Sequence, residues 1–471
     1  MKRPKTEKTD TICSISTPPG MGGIGIVRMS GPRAVAIADD LFCHPSDNDL
    51  NDERGYSIRY GRVMDRTTGA VVDEVLLTVM RAPKTYTRED VVEINCHSGP
   101  VILRKILMLL TASGARLAEP GEFTRRAFLN GRIDLAQAES VMSLISAKTD
   151  TALRAALRHL GGELTDRINL IKCRVVHLLS EVEAAIDFPD EELDLIAPEQ
   201  VLRETEGVMG ELRDLIRSSE EGRILTEGVA AAIVGKANVG KSSLLNRLLM
   251  EDRAIVTPIP GTTRDVIEAT VNINGIPLRI LDTAGIRASR DPVEQEGIRR
   301  SRESIEQADL VIMVVDASRA PDDEDLVIAR LLDGKETILA LNKKDLLRDS
   351  KNDKWNKAEI CDLINPKDCI YTSMTQDMDV EGLKESISAV VLQGKGGFSE
   401  ALMVTSVRHV GLLSSAREAL ERVCDTARQD LSEEFLSVDL RAALFALGEI
   451  TGETTTEDIL DEIFRSFCVG K

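Results

Sequence analysis

The chemistry of this chain is concentrated between positions 229 and 345, starting with Gly235-Lys236-Ala237-Asn238-Val239-Gly240-Lys241-Ser242, which spells G-x-x-x-x-G-K-S. In such a loop the glycines let the backbone approach phosphate oxygens. The loop amides and the following helix N-terminus then supply partial positive charge. The context is the one the motif requires, because the apolar run 229–234 precedes it and the helical Ser243-Leu244-Leu245-Asn246-Arg247-Leu248 follows it. Lys241 is expected to meet the β- and γ-phosphates, and the Ser242 hydroxyl to ligate Mg2+.

The other parts of a nucleotide site follow in order. Gly261-Thr262-Thr263-Arg264-Asp265 lies in a loop bounded by Pro258 and Pro260. A threonine there is expected to complete the Mg2+ shell and sense the γ-phosphate, and Thr263 is the choice over Thr262. Asp282-Thr283-Ala284-Gly285 brings a Walker-B-type aspartate and a glycine that senses the γ-phosphate. Asn342-Lys343-Lys344-Asp345 decides the base. An aspartate accepts two hydrogen bonds from the N1–H and exocyclic amine of guanine, and adenine offers no such pair. A site built on that acceptor rejects the wrong base strongly. Ser373 and Met374 stand where a last base-supporting loop belongs. The expected nucleotide contacts are therefore Asn238, Val239, Gly240, Lys241, Ser242 and Ser243, then Thr257, Pro258, Ile259, Pro260, Gly261, Thr262 and Thr263. Asp282, Thr283, Ala284 and Gly285 follow, with Asn342, Lys343, Asp345, Ser373 and Met374.

The hydrolytic apparatus is unusual. Ile286 follows Gly285, at the place where Ras-like enzymes keep the glutamine that orients attacking water. Another group must position the water, and another positive charge must face the leaving phosphate. Asn238 can reach a monovalent cation beside the phosphates, standing in for an arginine finger. Glu294, in Asp291-Pro292-Val293-Glu294, is either a water-positioning carboxylate or a solvated acid at a helix start. Arg264 and Asp265 are further catalytic candidates.

These loops need elements to hold them. Residues 11–130 alternate short apolar runs with Gly, Pro and Asn breakers; strands are expected at 71–80 and 91–95 and a helix at 101–110, an α+β domain. Residues 17–25 are too rich in Pro and Gly for a regular element and bring backbone close to a neighbour or ligand. A helix is expected over 134–160, then a packed one striped by Leu164, Ile168, Ile171, Val175, Leu178 and Val182, closed at Pro189. A further helical stripe spans 201–216. The G domain then spans about 226–392. Its Asn274-Gly275 predicts a hairpin turn, and Pro277 predicts a strand edge. Residues 393–397 (QGKGG) read as a linker, and helical periodicity returns over 407–424, 431–448 and 456–467. These late helices cannot bury their stripes alone. They are expected to pack on the helices of 134–216, which makes the α/β P-loop G domain an insertion in an all-α helical domain.

Composition narrows the partners. The formal net charge of −19 repels a polyanion globally, so RNA binding would need a local basic surface or a second protein. Aromatics make up only 3%, which argues against single-stranded nucleic-acid recognition by stacking. No run of about 18 apolar residues predicts a membrane span, and the opening ten residues carry no secretory signature. The eight cysteines form no C-x-x-C pair and fit a reducing cytosol. Seven are expected to be ordinary buried side chains, with Cys468 set apart by its place at the end of the chain.

Several blocks together resemble the bacterial tRNA-modification GTPase family MnmE (TrmE). They are TPPGMGGIGIVRMSGP at the N-terminus, PGEFTRRAFLNGRIDLAQAE at 120–139, the inserted G domain with GTTRD, and the closing Cys468-Val469-Gly470-Lys471. The resemblance implies residues 1–130 as a tetrahydrofolate-binding-like and dimerisation domain, 131–225 and 393–471 as the two parts of the helical domain, and a cytoplasmic homodimer. It implies a partner, the FAD-dependent MnmG (GidA), in a heterotetramer or larger complex. Together they would place an aminomethyl-type group at C5 of a tRNA wobble uridine, using 5-formyltetrahydrofolate or another one-carbon tetrahydrofolate, with tRNA held mainly through the partner. It implies a K+ site at Asn238 with backbone oxygens around Thr257, Ile259 and Thr262, a catalytic Glu294, and folate contacts from Arg28, Glu93, Arg132 and Lys471. Cys468 is either a nucleophile or acid/base group in the one-carbon step or a thiol that positions the tail. The sequence departs from the family at Arg132, where lysine is commoner, and at Ala237, Met374 and Val469. The rival class is a GTP-switched ribosome or RNA assembly factor, but no GXXG loop in a basic context is present to support it.

Overall fold

The structure, a computed structural model, describes residues 10–43, 55–187, 197–251, 269–281, 302–347, 357–374, 377–394, 398, 402–429 and 431–471. The chain divides into two compact units. One comprises residues 1–142, 159–209 and 415–471, and the other 143–158 and 210–414.

The first unit holds a seven-stranded sheet of β1 (Ile12–Ile15), β2 (Gly22–Ser30), β3 (Phe42–Cys43), β4 (Tyr56–Met64), β5 (Val71–Met80), β6 (Val91–Ser98) and β7 (Arg116–Leu117), in the order β3-β4-β5-β6-β2-β1-β7. Neighbours run antiparallel except β1 and β7. Helices α1 (Ala34–Leu41) and α2 (Pro100–Ala112) pack on the sheet, burying Ile37, Leu103 and Ile106 against Val27, Leu77, Val92 and Ile94. The Pro/Gly-rich stretch is less irregular than its composition implies. Gly22, Gly23, Ile24 and Gly25 belong to β2, and a register shift between Gly22 and Gly25 opposite β6 absorbs them. Gly25 is required there, because a Cβ would lie 2.8 Å from Leu103 Cδ2 and 3.2 Å from Ser98 Cα.

The helical segments follow their periodicity. The helix α6 (Glu163–Asp187) buries Leu164, Ile168, Ile171, Val175, Leu178 and Val182, the expected stripe, and packs against the helix Glu433–Thr451. Pro189, expected to end α6, lies outside the described residues. The single helix expected over 134–160 is two, α4 (Leu135–Ser146) and α5 (Asp150–Leu160). Thr149 makes the break. Its Oγ1 accepts the Ala152 amide at 3.1 Å, an N-cap bond that starts a new helix. The helix expected at 201–216 extends over α7 (Pro198–Glu227).

The second unit is built on a six-stranded sheet of β8 (Val229–Val234), β9 (Ala269–Ile273), β10 (Ile276–Ile280), β11 (Leu310–Asp316), β12 (Thr337–Asn342) and β13 (Asp368–Tyr371), ordered β13-β12-β11-β8-β10-β9. All pairs are parallel except the β9–β10 hairpin. β8, β11 and β12 are buried throughout, as a parallel sheet covered on both faces demands. Side chains alternate between two cores. Ala231, Ile233, Ile312, Val314 and Ile338 enter one, and Ala232, Val234, Val311, Met313 and Leu339 the other. The hairpin turns at Asn274 and Gly275, both with positive φ, as the type I′ turn requires. Pro277 does not mark an edge strand. β10 lies inside the sheet, and Pro277 stands one residue before pairing with β8 begins at Leu278, so its missing amide costs no ladder bond on that side.

The cysteines also depart from expectation. Cys13, Cys96 and Cys424 are buried, but Cys43 and Cys173 are exposed and Cys361 and Cys369 half-buried; all are free thiols. Among the described residues no helix is long and apolar enough to cross a membrane.

Candidate functional site

The phosphate loop leaves the C-terminal end of β8 and enters α8 (Lys241–Glu251). Its curvature depends on Gly235 (φ 143), Asn238 (φ 62) and Gly240 (φ 109). A Cβ at Gly235 would meet the Val314 carbonyl oxygen at 2.2 Å, so β11 presses directly on the loop. Lys241 Nζ donates to the carbonyls of Gly235 and Lys236, each at 2.6 Å. Those bonds orient the ammonium over the loop and leave one of its three protons for a phosphate oxygen. Burial pushes its pKa down, against the pull of Glu324. Ser242 and Ser243 are exposed at the helix start, and Asn238 is exposed on the loop.

The base-reading loop is tied to the phosphate loop. Asn342 Nδ2 donates to the Val239 carbonyl at 2.7 Å, and any side chain at Gly240 would strike that nitrogen. Lys343, in the left-handed conformation at φ 66, pairs with Asp316 Oδ2 at 2.7 Å. Burial raises the Asp316 pKa, but Lys343 and Ser318 outweigh it and hold the carboxyl below its usual range. Ser373 Oγ donates to Asp345 Oδ1 at 2.6 Å, which fixes the carboxylate that would face guanine. Ser373 is fully buried and Met374 packs on the sheet core. Thus Asn238–Ser243, Asn342, Lys343, Asp345, Ser373 and Met374 converge beyond the C-terminal ends of parallel strands, where open α/β sheets bind ligands.

Sequence reasoning missed two supports of this site. Asp316, the residue that ends β11, is the partner of Lys343; its signal was a lone acid closing an apolar strand. Lys236 is the other. It is 5% exposed in its side chain and reaches Asp322 at 2.5 Å and Asp325 at 2.6 Å, both in the capping box of the helix Asp323–Arg330.

Thr257, Pro258, Ile259, Pro260, Gly261, Thr262, Thr263, Arg264, Asp265, Asp282, Thr283, Ala284, Gly285, Ile286 and Glu294 lie outside the described residues. Among the described residues no three His, Cys, Asp or Glu side chains cluster as metal ligands.

A second constellation lies in the first unit. Arg28 on β2 and Glu93 on β6 are cross-strand partners, with Nε 2.7 Å from Oε1. The chain's end returns to them. Arg28 Nη1 donates to the Gly470 carbonyl at 3.3 Å, and Val469 bridges to Pro120. The Gly121 amide donates to the Cys468 carbonyl at 3.4 Å and the Phe123 amide to a terminal carboxylate oxygen of Lys471 at 3.2 Å. Gly470 has φ 101, and a Cβ there would lie 2.6 Å from the Ile15 carbonyl oxygen, so the glycine of C-x-G-K is a packing requirement. Lys471 is half-buried; burial and then the neighbouring Arg28 push its pKa down, while Glu93 and Cys468 oppose them. The Cys468 residue is exposed. Arg132 is placed differently, its guanidinium 4.8 Å above the Tyr86 ring.

A P-loop, an asparagine–aspartate base reader and a covered parallel sheet define a guanine-nucleotide-binding P-loop GTPase. The family described as "GTP-binding protein TrmE N-terminus" matches residues 11–132, and "MnmE helical domain" matches 135–468. The tRNA modification GTPase MnmE of Acetivibrio thermocellus is 45% identical over 98% of this chain and 100% of its own length. That of Thermoanaerobacter pseudethanolicus is 46% identical over 98% and 99%. The chain belongs to the MnmE family of tRNA modification GTPases. Among solved structures, the FeoB G-domain from Methanococcus jannaschii is 28% identical over 35% of this chain and 98% of its own, at a TM-score of 0.25, too low to add to the case.

Proposed function

We propose that this chain hydrolyses GTP with K+ stimulation and G-domain dimerisation, and that with MnmG (GidA) it places an aminomethyl or carboxymethylaminomethyl group at C5 of a tRNA wobble uridine. The observation that carries the tRNA half of this reading is the meeting of Arg28, Glu93, Gly470 and Lys471 at one place on the N-terminal sheet. A carboxylate suits the amide edge of a pterin, and cations suit a glutamate tail. The donor set therefore fits a one-carbon tetrahydrofolate such as the 5-formyl form, which would supply the transferred carbon when bound. Arg28, pinned by Glu93 and by the tail carbonyl, orients the carboxylate, and Lys471 contributes charge to a half-buried place.

In the G domain Lys241 and the loop amides bind phosphate, Ser242 with Thr263 holds Mg2+, and Asp345 reads guanine. Asn238, with backbone oxygens of Thr257, Ile259 and Thr262, would hold K+, Glu294 would orient water, and Arg264 and Asp265 are further catalytic candidates. The protein works as a cytoplasmic homodimer. Tyr56, Ile58, Tyr60 and Leu76 are exposed on adjoining strands β4 and β5, and this apolar face suits a second copy. The charge of −19 favours tRNA held mainly through MnmG in a heterotetramer or larger complex.

The test is removal of Cys468–Lys471. Phe467 is kept because it is buried, its ring tilted against that of Phe464 with centres 5.3 Å apart. Nucleoside analysis of tRNA from cells carrying the truncated protein should show loss of the C5-modified uridine, with GTP hydrolysis retained. Persistence of the modified nucleoside would remove the tail from the reaction.

A further inference from the structure

The Pro120-Gly121-Glu122-Phe123-Thr124 block belongs neither to the nucleotide site nor to the candidate folate contacts. Its geometry gives it a purpose. Gly121 adopts φ 68 at the N-cap of α3 (Glu122–Leu129), and this leaves the Gly121 and Phe123 amides, free of intrahelical partners as first-turn amides are, aimed at the chain's own end. They donate to the Cys468 carbonyl at 3.4 Å and to a terminal carboxylate oxygen of Lys471 at 3.2 Å, while Pro120 bridges to Val469. A side chain at Gly121 would meet the Phe464 carbonyl oxygen at 2.7 Å, so the turn fits closely against the helix that precedes the tail.

Glu122 shapes that turn. Its side chain is 8% exposed, and every bond it makes fixes a neighbouring segment. Oε2 accepts the Glu119 amide at 2.9 Å and Arg116 Nη1 at 3.1 Å. Oε1 accepts Arg116 Nη2 at 2.6 Å and Arg126 Nη2 at 3.0 Å. Arg126, itself 4% exposed, also reaches Asp10 and Glu89. Burial drives the Glu122 carboxyl upward, but Arg116, the Glu119 amide and Arg126 together bring it below its usual range, so it is ionised at neutral pH.

We propose that residues 119–123 are a built-in receptor for the last four residues of this chain, and that Glu122 is its positioning residue. The Glu122 carboxylate sets the turn, the turn aims two amides, and the amides hold the Cys468 carbonyl and the Lys471 terminal carboxylate beside the Arg28–Glu93 pair. Any consequence for tRNA modification rests on the tail's proposed part in that reaction; the docking itself does not.

Glu122→Gln keeps the size and one acceptor oxygen but removes the charge that faces two guanidinium groups. Release of Lys471 by a carboxypeptidase specific for C-terminal lysine requires the tail to leave its receptor. It should accelerate about tenfold or more, the effect of losing a hydrogen bond to a charged group. Leu77→Ala, a cavity in the core of the same sheet, should lower thermal stability without that acceleration. Equal acceleration in Leu77→Ala, or none in Glu122→Gln, overturns the proposal. Hydrogen exchange tests it without altering the receptor: removing Cys468–Lys471 should speed exchange of the Gly121 and Phe123 amides and leave Glu119, bonded to Glu122, slow. Unchanged Gly121 and Phe123 rates would also overturn it. Loss of modification with a still-protected tail would count against the positioning role, whereas a released tail with modification intact would count only against the proposed function.

Discussion

Lys236 offers the sharpest test of how this G domain holds its nucleotide, because its two ends do different work. Its backbone carbonyl accepts Lys241 Nζ at 2.6 Å, and its ammonium is clamped between Asp322 and Asp325. Lys236→Met keeps the stem and removes the charge. Asp325, 1% exposed in its side chain, then loses its cation, and breaking a buried pair in this way costs about 3–5 kcal/mol. Asp322 is 54% exposed, so solvent compensates most of its share. The strain is relieved by movement of the loop or of the helix Asp323–Arg330. If it costs Lys241 one bond to a charged acceptor or phosphate, about 1.5–3 kcal/mol of binding is lost, roughly 10- to 150-fold in Kd. Fluorescence titration should show this loss for GTP and GDP. GMP should be spared, since Lys241 serves the β- and γ-phosphates, and Lys236→Arg should restore affinity. Burial pulls the Lys236 pKa down, but Asp322 and Asp325 together outweigh it and raise it above the usual lysine value. The clamp's contribution is therefore present at neutral pH and lost only as pH rises through that raised value. An equal loss for GMP, or no loss for GTP, would refute the argument.

Two further outcomes are expected in the same domain. Asp345→Asn should weaken GTP binding by orders of magnitude and improve xanthosine triphosphate binding, measured by competition; unchanged GTP affinity would remove Asp345 as the guanine reader. GTP turnover should rise from Na+ to K+ buffer, with the rise abolished in Asn238→Ala. A positive charge at the leaving phosphate is worth about 10³–10⁵ in rate, and equal rates in the two salts would reject the cation mechanism.

What the sequence disclosed well was whatever is local. A parallel strand buried on both faces reads as an unbroken apolar run, so 229–234 and 310–315 were visible, and the α6 stripe was visible because 3.6-residue periodicity survives in any context. The misjudged places turn on single side chains or on sheet order. One threonine hydroxyl divides 134–160 into two helices. Pro277 looked like an edge residue because nothing in its neighbourhood reveals that β8 pairs only from Leu278 onward. The exposed Cys43 and Cys173 show that a thiol's burial follows the face it happens to occupy, which composition does not report.

The two sites differ in legibility for the same reason. Asn238, Lys241, Asn342 and Asp345 announce themselves because their motifs need fixed short spacings around one ligand. Their supports do not: Lys236 finds its acids 86 and 89 positions away, and neither end looks special alone. The tail is the extreme case, with Arg28 bonding Gly470 across 442 positions. Such a contact leaves only an indirect trace, a glycine whose turn over 468–471 is local but whose close fit against a distant strand is not. Gly470 turns the tail and also fits against the Ile15 carbonyl, whereas Glu122 is held by Arg116 and Arg126, six and four positions away. A residue whose fit exceeds what its local rule asks is therefore the one to suspect of serving a distant segment, and here Gly470 ties the last residues to β1.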